Sequence, residues 1–200
     1  NLANFLQGAT AMTISWPPYG RWSAGYGSGE EALNWVPKTQ IAGKVGYALN
    51  PLGRPELGVG FALSVSSASK HKEAAYLFIQ WLNSEQTSLE RVQLPYTLRD
   101  PFRTSHYESA EYRKLWPDAG AYLDTIKASG EKGLLDLSLL QQDKYDEAMT
   151  KAISGLWAGE DPKAVADNMA AQFDAITEKV GLDKQKEIYK SWAAKPGAYP

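Results

Sequence analysis

The sequence predicts a helix-rich α/β fold of which only a part is present. Three short apolar segments, 11–15, 45–49 and 61–65, have the composition of strands and are bounded by glycine, proline and polar turn residues. From about residue 69 onward the apolar residues recur at helical spacing. A complete sheet usually has ~5–6 strands, so three strands indicate a portion of a larger α/β protein.

Composition excludes several classes of function. The 200 residues include 21 basic and 23 acidic side chains, for a net charge of −2, and no basic run. We therefore expect no nucleic-acid partner. No apolar stretch approaches the ~20 residues that a membrane span needs. The absence of cysteine excludes disulfides, thiolate catalysis and cysteine metal ligands. The chain begins without methionine or a signal peptide, inside a helical pattern, which suggests a mature segment or a fragment lacking its N-terminal part.

Helical patterns in the first half lie at residues 1–7, which Gly8 would end, and beyond Ser69. Ser67 or Ser69 can cap the second helix. Its apolar stripe consists of Ala74, Leu77, Phe78, Trp81 and Leu82. This spacing predicts that Trp81 belongs to the core. The helical region should end at 93–95, because the residue before a proline disfavours helical backbone.

The second half of the chain is predicted to contain helices only. Asp161 followed by Pro162 is a strong start signal, with the aspartate as N-cap and proline in the first turn, and Gly181 would end that helix. The predicted helices cover 108–116, 119–128, 143–157, 162–180 and 183–192.

A stiff aromatic loop at 16–22 carries Trp16, Tyr19 and Trp22. Two successive prolines fix the backbone and remove two amide donors, so this segment is not the middle of a strand. Rings just beyond a strand end are placed where open α/β sheets bind ligands. The alternative is that the rings are ordinary core.

Signatures of catalysis are absent. The two histidines are His71, at a lysine-rich helix start, and His106, in a polar loop, and neither has evident metal-binding partners. Arg99 and Asp100 read either as a local ion pair or as hydrogen-bonding groups for a ligand. No carboxylate pair suitable for glycoside hydrolysis can be singled out. We expect no cofactor and no metal.

The chain resembles family 1 extracellular solute-binding proteins, the carbohydrate receptors of bacterial ABC importers, to which maltose-binding protein is related. Several stretches carry the resemblance and lie in the family's order: 5–14 (FLQGATAMTI), 58–65 (GVGFALSV), 67–75 (SASKHKEAA), 78–82 (FIQWL), 94–95 (LP) and 148–176, a helix, a Gly-Glu-Asp-Pro break and a helix. The resemblance covers nearly the whole chain.

The resemblance implies a periplasmic-binding-protein-like fold of type II, in which two α/β lobes enclose a sugar. This chain would be the C-terminal half of such a receptor. On that pattern residues 1–57 belong to the second lobe, 58–98 form a strand and helix that cross into the first lobe, and 99–200 return to the second.

Carried over to this sequence, the resemblance suggests Trp16 and Tyr19 as rings that stack on the sugar, with Trp22 behind them as a structural residue. Gly58 and Gly60 would offer backbone N–H groups to hydroxyls, although the family more often has a Gly-Gly pair there. The segment after Leu94-Pro95 adds Tyr96 and Arg99 as candidates.

The function implied is a non-catalytic receptor, periplasmic or anchored at the surface, that binds a sugar or polyol and delivers it to permease subunits in the membrane. A carbohydrate-active hydrolase and a protein-interaction module are the alternatives. If the N-terminal lobe is missing, residues 58–98 should expose apolar surface, and the fragment should either associate with itself or bind its ligand poorly.

Overall fold

A computed structural model of the chain describes residues 1–53, 57–58 and 60–198. Val59 of the glycine-containing motif at 58–65 lies outside the described residues. The described residues divide into two compact units. The first contains 1–53 and 60–133, and the second contains 57–58 and 134–198.

The first unit is built from short helices. They are α1 (Leu2–Leu6), α2 (Pro17–Ser23), α3 (Lys72–Leu82), α4 (Glu85–Gln93), α5 (Thr104–Glu108) and α6 (Ala119–Gly130), with 3₁₀ turns at Glu31–Leu33, Pro51–Gly53 and Tyr112–Lys114. The predicted helices at 1–7 and 119–128 are confirmed. The predicted helix at 108–116 is wrong, since α5 ends at Glu108 and a 3₁₀ turn follows.

The aromatic segment predicted as a loop is the helix α2. Trp16 is its N-cap residue, with extended backbone, and two prolines occupy the first turn. The missing proline N–H groups cost nothing there, because the first amides of a helix have no intrahelical acceptor. The prolines that rule out a strand therefore begin a helix. The face that it buries includes Pro18, Arg21 and Trp22.

The three predicted strands are not formed: the described residues contain no strand, and 11–15, 45–49 and 61–65 are irregular. An isolated parallel bridge joins Leu57 and Leu134, both in the second unit. A strand needs a partner for its backbone groups, and these segments find none among the described residues. Most of their side chains are exposed, and that of Phe61 is 95% exposed. Tyr47 is an exception, because its half-buried ring meets that of Tyr122 edge to face at 5.5 Å.

The long helix predicted from residue 69 is two helices, α3 and α4, which are separated at Asn83 and Ser84. Ser67 and Ser69 are not caps, because α3 begins at Lys72. The helical region does end at Gln93, as predicted.

The apolar stripe of α3 lies largely in solvent. Leu82 is buried, but Trp81 is 56% exposed, so its assignment to the core is wrong. Leu77 and Phe78 are also more than half exposed, and the Phe78 and Trp81 rings contact each other at 5.7 Å between centroids. The apolar exposure expected within 58–98 is thus present, since helical spacing defines a face but does not say what covers it.

The core of the first unit is mainly aromatic. Its buried residues are Val92, Tyr112, Trp116, Ala119, Tyr122 and Leu123. The ring of Trp116 meets that of Tyr122 edge to face, with 5.3 Å between the ring centroids. The ring of Tyr26, which is distant in sequence, also packs against Trp116, with 4.8 Å between the centroids. Burial is the main cause that raises the pKa of Tyr112 to about 12, so this phenol stays neutral.

The second unit consists of α7 (Gln142–Trp157), α8 (Pro162–Val180) and α9 (Leu182–Ala193). The predictions for these helices are confirmed, including the N-cap: the Asp161 carboxylate accepts from the Ala164 N–H at 2.9 Å. The Tyr145 hydroxyl links all three helices, because it lies 2.8 Å from Thr177 Oγ1 and accepts from Gln185 Nε2 at 3.0 Å.

His106 belongs to the core of the first unit, whereas the sequence placed it in a polar loop. It lies in α5 with no exposed surface. The Phe102 N–H donates to Nδ1 at 3.4 Å, and Ser88 Oγ lies 3.0 Å from Nε2. An accepting Nδ1 means that the neutral ring carries its proton on Nε2. Burial, aided by the charge of Arg103, lowers the pKa of His106 from 6.5.

We predict that His106 makes the free energy of unfolding fall as the pH is lowered from about 6.5. Between the usual histidine pKa and its lowered folded value, the unfolded chain takes up a proton that the folded protein excludes. A single proton can contribute a slope of at most ~1.4 kcal/mol per pH unit. The substitution His106→Gln should remove it in denaturant titrations at several pH values.

The matched control is His71→Gln, which replaces the other histidine, an exposed residue before α3, and should keep the pH dependence. Parallel pH profiles for the wild type and the His106→Gln variant would contradict the prediction.

Candidate functional site

The Trp16 ring stands at the start of α2 and is 41% exposed. Its backbone is restrained by the two prolines that follow and by the Tyr19 N–H, which donates to the Trp16 carbonyl at 3.0 Å. Its indole Nε1–H donates to Asp100 Oδ2 at 2.8 Å. The ring is thus tethered at its polar edge and retains an exposed apolar surface.

Asp100 interacts with both the Trp16 ring and the charge of the buried Arg21. Burial raises the pKa of its carboxyl group above the usual 3.8, while the Trp16 hydrogen bond and the positive charge of Arg21 oppose that rise. The other carboxylate oxygen, Oδ1, is buried and makes no hydrogen bond with a described residue.

Arg21 has no exposed surface and joins α2 to the segment 92–100. One guanidinium nitrogen, Nη2, donates to the Thr97 carbonyl, and Nη1 lies 3.5 Å from the Val92 carbonyl, to which it donates. Trp22 Nε1–H donates to the Pro95 carbonyl at 3.1 Å, and the Tyr26 hydroxyl donates to the Gln93 carbonyl at 2.5 Å. Helix α2 and this segment are therefore connected along their lengths, in opposite chain directions.

These contacts bring four of the six predicted binding residues onto two adjacent segments. Trp16 and Tyr19 lie on α2, and Tyr96 and Arg99 lie on the segment connected to it. Tyr96 is exposed and Arg99 is half-buried. Among the described residues Arg99 forms no salt bridge, with Asp100 or otherwise. Whether these four residues touch a ligand stays a prediction.

An aromatic row continues from Tyr19. The Tyr19 and Trp22 rings lie 6.1 Å apart, and Trp35 meets Trp22 edge to face at 5.3 Å. Trp22 is buried, as predicted, whereas Trp35 is 58% exposed.

The two glycines have different surroundings. Gly58 belongs to the second unit, and its N–H donates to the Leu134 carbonyl at 2.7 Å. A ligand could use that amide only after this bond is broken. Gly60 belongs to the first unit and is exposed, with no heavy atom within 4 Å of an added Cβ. The binding role of both glycines stays a prediction.

An open pocket of about 240 Å³ adjoins α1 and the segment that follows it. Its volume lies below the ~300–1,000 Å³ typical of small-molecule sites. None of the six predicted binding residues lines it; the lining residues are Asn1, Asn4, Thr10, Met12, Thr13 and Ile14.

Within 1–53, 57–58 and 60–198 there is no group of three or more histidine, cysteine, aspartate or glutamate side chains arranged to hold a metal ion. In the same residues no helix combines the length and apolarity needed to cross a membrane.

Sequence reasoning missed Arg21 and the contact that Asp100 makes. Arg21 was not singled out, although its position at i+3 from Pro18, beside Trp22, marks it as part of the buried face of a helix. Asp100 was considered with Arg99 as an ion pair or as a hydrogen-bonding group for a ligand, but not as the partner of Trp16, which is 84 residues away. No local sequence pattern predicts a contact between residues so far apart in the chain.

Residues 1–88 match the family model described as bacterial extracellular solute-binding protein. The match includes Trp16, Tyr19, Gly58 and Gly60 and stops before Tyr96 and Arg99. It supports the predicted family and a solute-binding role. Searches of curated proteins and of solved structures found no match.

We predict that Arg21→Ala destabilises the first unit by ~3 kcal/mol or more. The substitution leaves a cavity and removes the donors from two carbonyl groups, and breaking a buried charged interaction is among the most costly single changes. Chemical denaturation followed by near-ultraviolet circular dichroism measures the loss.

Lys127→Ala is the matched control, because Lys127 forms an exposed 3.6 Å ion pair with Glu108 in the same unit. It should cost less than ~1 kcal/mol. Equal losses for the two variants would show that the buried guanidinium has no special role.

Proposed function

We propose that this chain is part of the substrate-binding component of a bacterial ABC importer, and that it binds a sugar or a similar polyol. The observation that carries the proposal is the tethered, partly exposed Trp16 ring, which lies within the segment matched by the solute-binding family model.

The chemistry of the four grouped residues supports a sugar more than a strongly charged solute. The C–H faces of a pyranose pack on aromatic rings, and Trp16, Tyr19 and Tyr96 supply such rings. Hydroxyl groups need polar partners at the edge of the stack. The Arg99 guanidinium, without a salt bridge among the described residues, is suited to donate to them.

The wider arrangement is proposed from the resemblance. The sugar would bind in a cleft between two lobes of a type II fold, with 1–57 and 99–200 in the second lobe and 58–98 crossing to the first. Gly58 and Gly60 would line that cleft. The receptor would be non-catalytic, would work in the periplasm or anchored at the surface, and would deliver its ligand to the permease.

A protein-interaction module is a second candidate, favoured by the exposed apolar stripe on α3. Under the receptor proposal, an N-terminal lobe of the same protein would cover this surface. Without that lobe, the present chain would associate with itself through the exposed stripe, and sedimentation at increasing protein concentration would measure this association. The hydrolase alternative has no such observation in its favour.

We predict that calorimetric titration with a panel of monosaccharides, disaccharides and polyols finds saturable but weak binding to the wild-type chain, because the other wall of the proposed cleft belongs to the N-terminal lobe. Trp16→Ala should weaken the affinity for the bound sugar at least tenfold, or ~1.4 kcal/mol, because the stacking surface is lost. Trp157→Ala is the matched control, since Trp157 is 87% exposed in the second unit and should leave the affinity unchanged.

The same mixtures should contain no new reducing ends after prolonged incubation. Sugar cleavage would favour the hydrolase. Absence of heat from every sugar and polyol would reject the receptor in this form, and equal effects of Trp16→Ala and Trp157→Ala would reject Trp16 as the stacking ring.

A further inference from the structure

We propose that Asp100 is the positioning residue of the aromatic site: its carboxylate fixes the orientation of the Trp16 ring that meets the sugar. This inference rests on the proposed function for the ligand, while the positioning itself can be measured without one. Asp100 would act on the sugar through Trp16 rather than by contact.

The Trp16 side chain has one polar atom, and Asp100 binds it. The indole Nε1–H donates to Oδ2 at 2.8 Å, a distance typical of hydrogen bonds to charged acceptors. The backbone of Trp16 is set by Pro17 and Pro18 and by the Tyr19 N–H bond to its carbonyl. With the backbone fixed, a tryptophan retains two side-chain torsions, and a hydrogen bond at the far edge of the ring restricts both.

The acceptor itself is firmly held. Pro101, the residue after Asp100, is buried, and its carbonyl accepts from the Tyr107 hydroxyl at 2.6 Å. On the other side, the Arg99 N–H donates to Thr97 Oγ1 at 3.2 Å. The Thr97 carbonyl accepts in turn from the buried Arg21. The carboxylate thus occupies a defined position relative to α2 before any ligand arrives.

The unused oxygen of Asp100 supports a role beyond stability. Oδ1 is buried and makes no hydrogen bond with a described residue. Burying a carboxylate with an unsatisfied oxygen is unfavourable. The favourable contact in the described structure is the one that orients Trp16, and the charge of Arg21 acts on the carboxylate from the buried side.

A pre-oriented ring increases affinity, because less conformational freedom is lost on binding. A freely turning Trp16 could still stack, but only a fraction of its rotamers would present the correct face. Asp100→Ala should therefore weaken sugar binding about tenfold in the full chain. Asp100→Asn keeps an oxygen acceptor and should recover most of the affinity.

A double-substitution cycle separates this role from a structural one. Trp16→Phe keeps a stacking ring but has no N–H to donate. If Asp100 acts through Trp16, adding Asp100→Ala to Trp16→Phe should change the affinity less than about twofold. If Asp100 acts through Arg21 or through the stability of the fold, Asp100→Ala should lower the affinity equally in the wild type and in Trp16→Phe. That result would overturn the proposal. Asp124→Ala, which breaks an exposed ion pair with Arg113, is the control carboxylate.

The indole proton of Trp16 gives a readout that needs no sugar. Its ¹H–¹⁵N resonance is identified by its loss in Trp16→Phe, and it should move upfield in Asp100→Ala and remain near the wild-type position in Asp124→Ala. An identical resonance in the wild type and Asp100→Ala would overturn the positioning role. Failure of every sugar to bind the wild type would instead reject the proposed function, and the resonance would still decide the role of Asp100.

Discussion

The buried guanidinium group of Arg21 is the contact on which the first unit depends. It donates to two carbonyl groups of the segment 92–97, which lies far away in sequence, and its charge acts on the buried phenols of Tyr112 and Tyr122. Its Nε, and the hydroxyls of Tyr112 and Tyr122 nearby, make no hydrogen bond with a described residue. A buried charge so sparsely paired is costly, and its two carbonyl contacts hold α2 in one position against the segment 92–97.

That arrangement is what creates the candidate site. Once Arg21, Trp22 and Tyr26 have joined α2 to the segment after α4, Asp100 lies beside Trp16, and Tyr96 and Arg99 lie along the same segment. The core thus determines which polar group meets the exposed ring. The buried contacts of Arg21 thus help to set the position of the exposed Trp16 ring beside Asp100.

The helices of the second unit could be predicted because their signals are local: the Asp161 cap and the apolar periodicity lie within the helix they define. Strands at 11–15, 45–49 and 61–65 could not, because pairing depends on residues elsewhere. The residue types and positions of Trp16, Tyr19 and Asp100 marked them as candidates, but the contact of Asp100 with Trp16 could not be predicted, since only the fold brings the two together. The prediction that Trp81 is buried was wrong for a similar reason, because helical periodicity does not show whether another element covers the apolar face.

The bridge between Leu57 and Leu134 has a consequence for the order in which the second unit can form. The helices α7, α8 and α9 follow one another and form mostly local contacts, which close quickly. The bridge from Leu57, by contrast, waits until all of 60–133 has been synthesised, and it closes a long loop at an entropic cost. During synthesis the segment 57–58 therefore leaves the ribosome before every other described part of the second unit and waits unpaired until Leu134 follows.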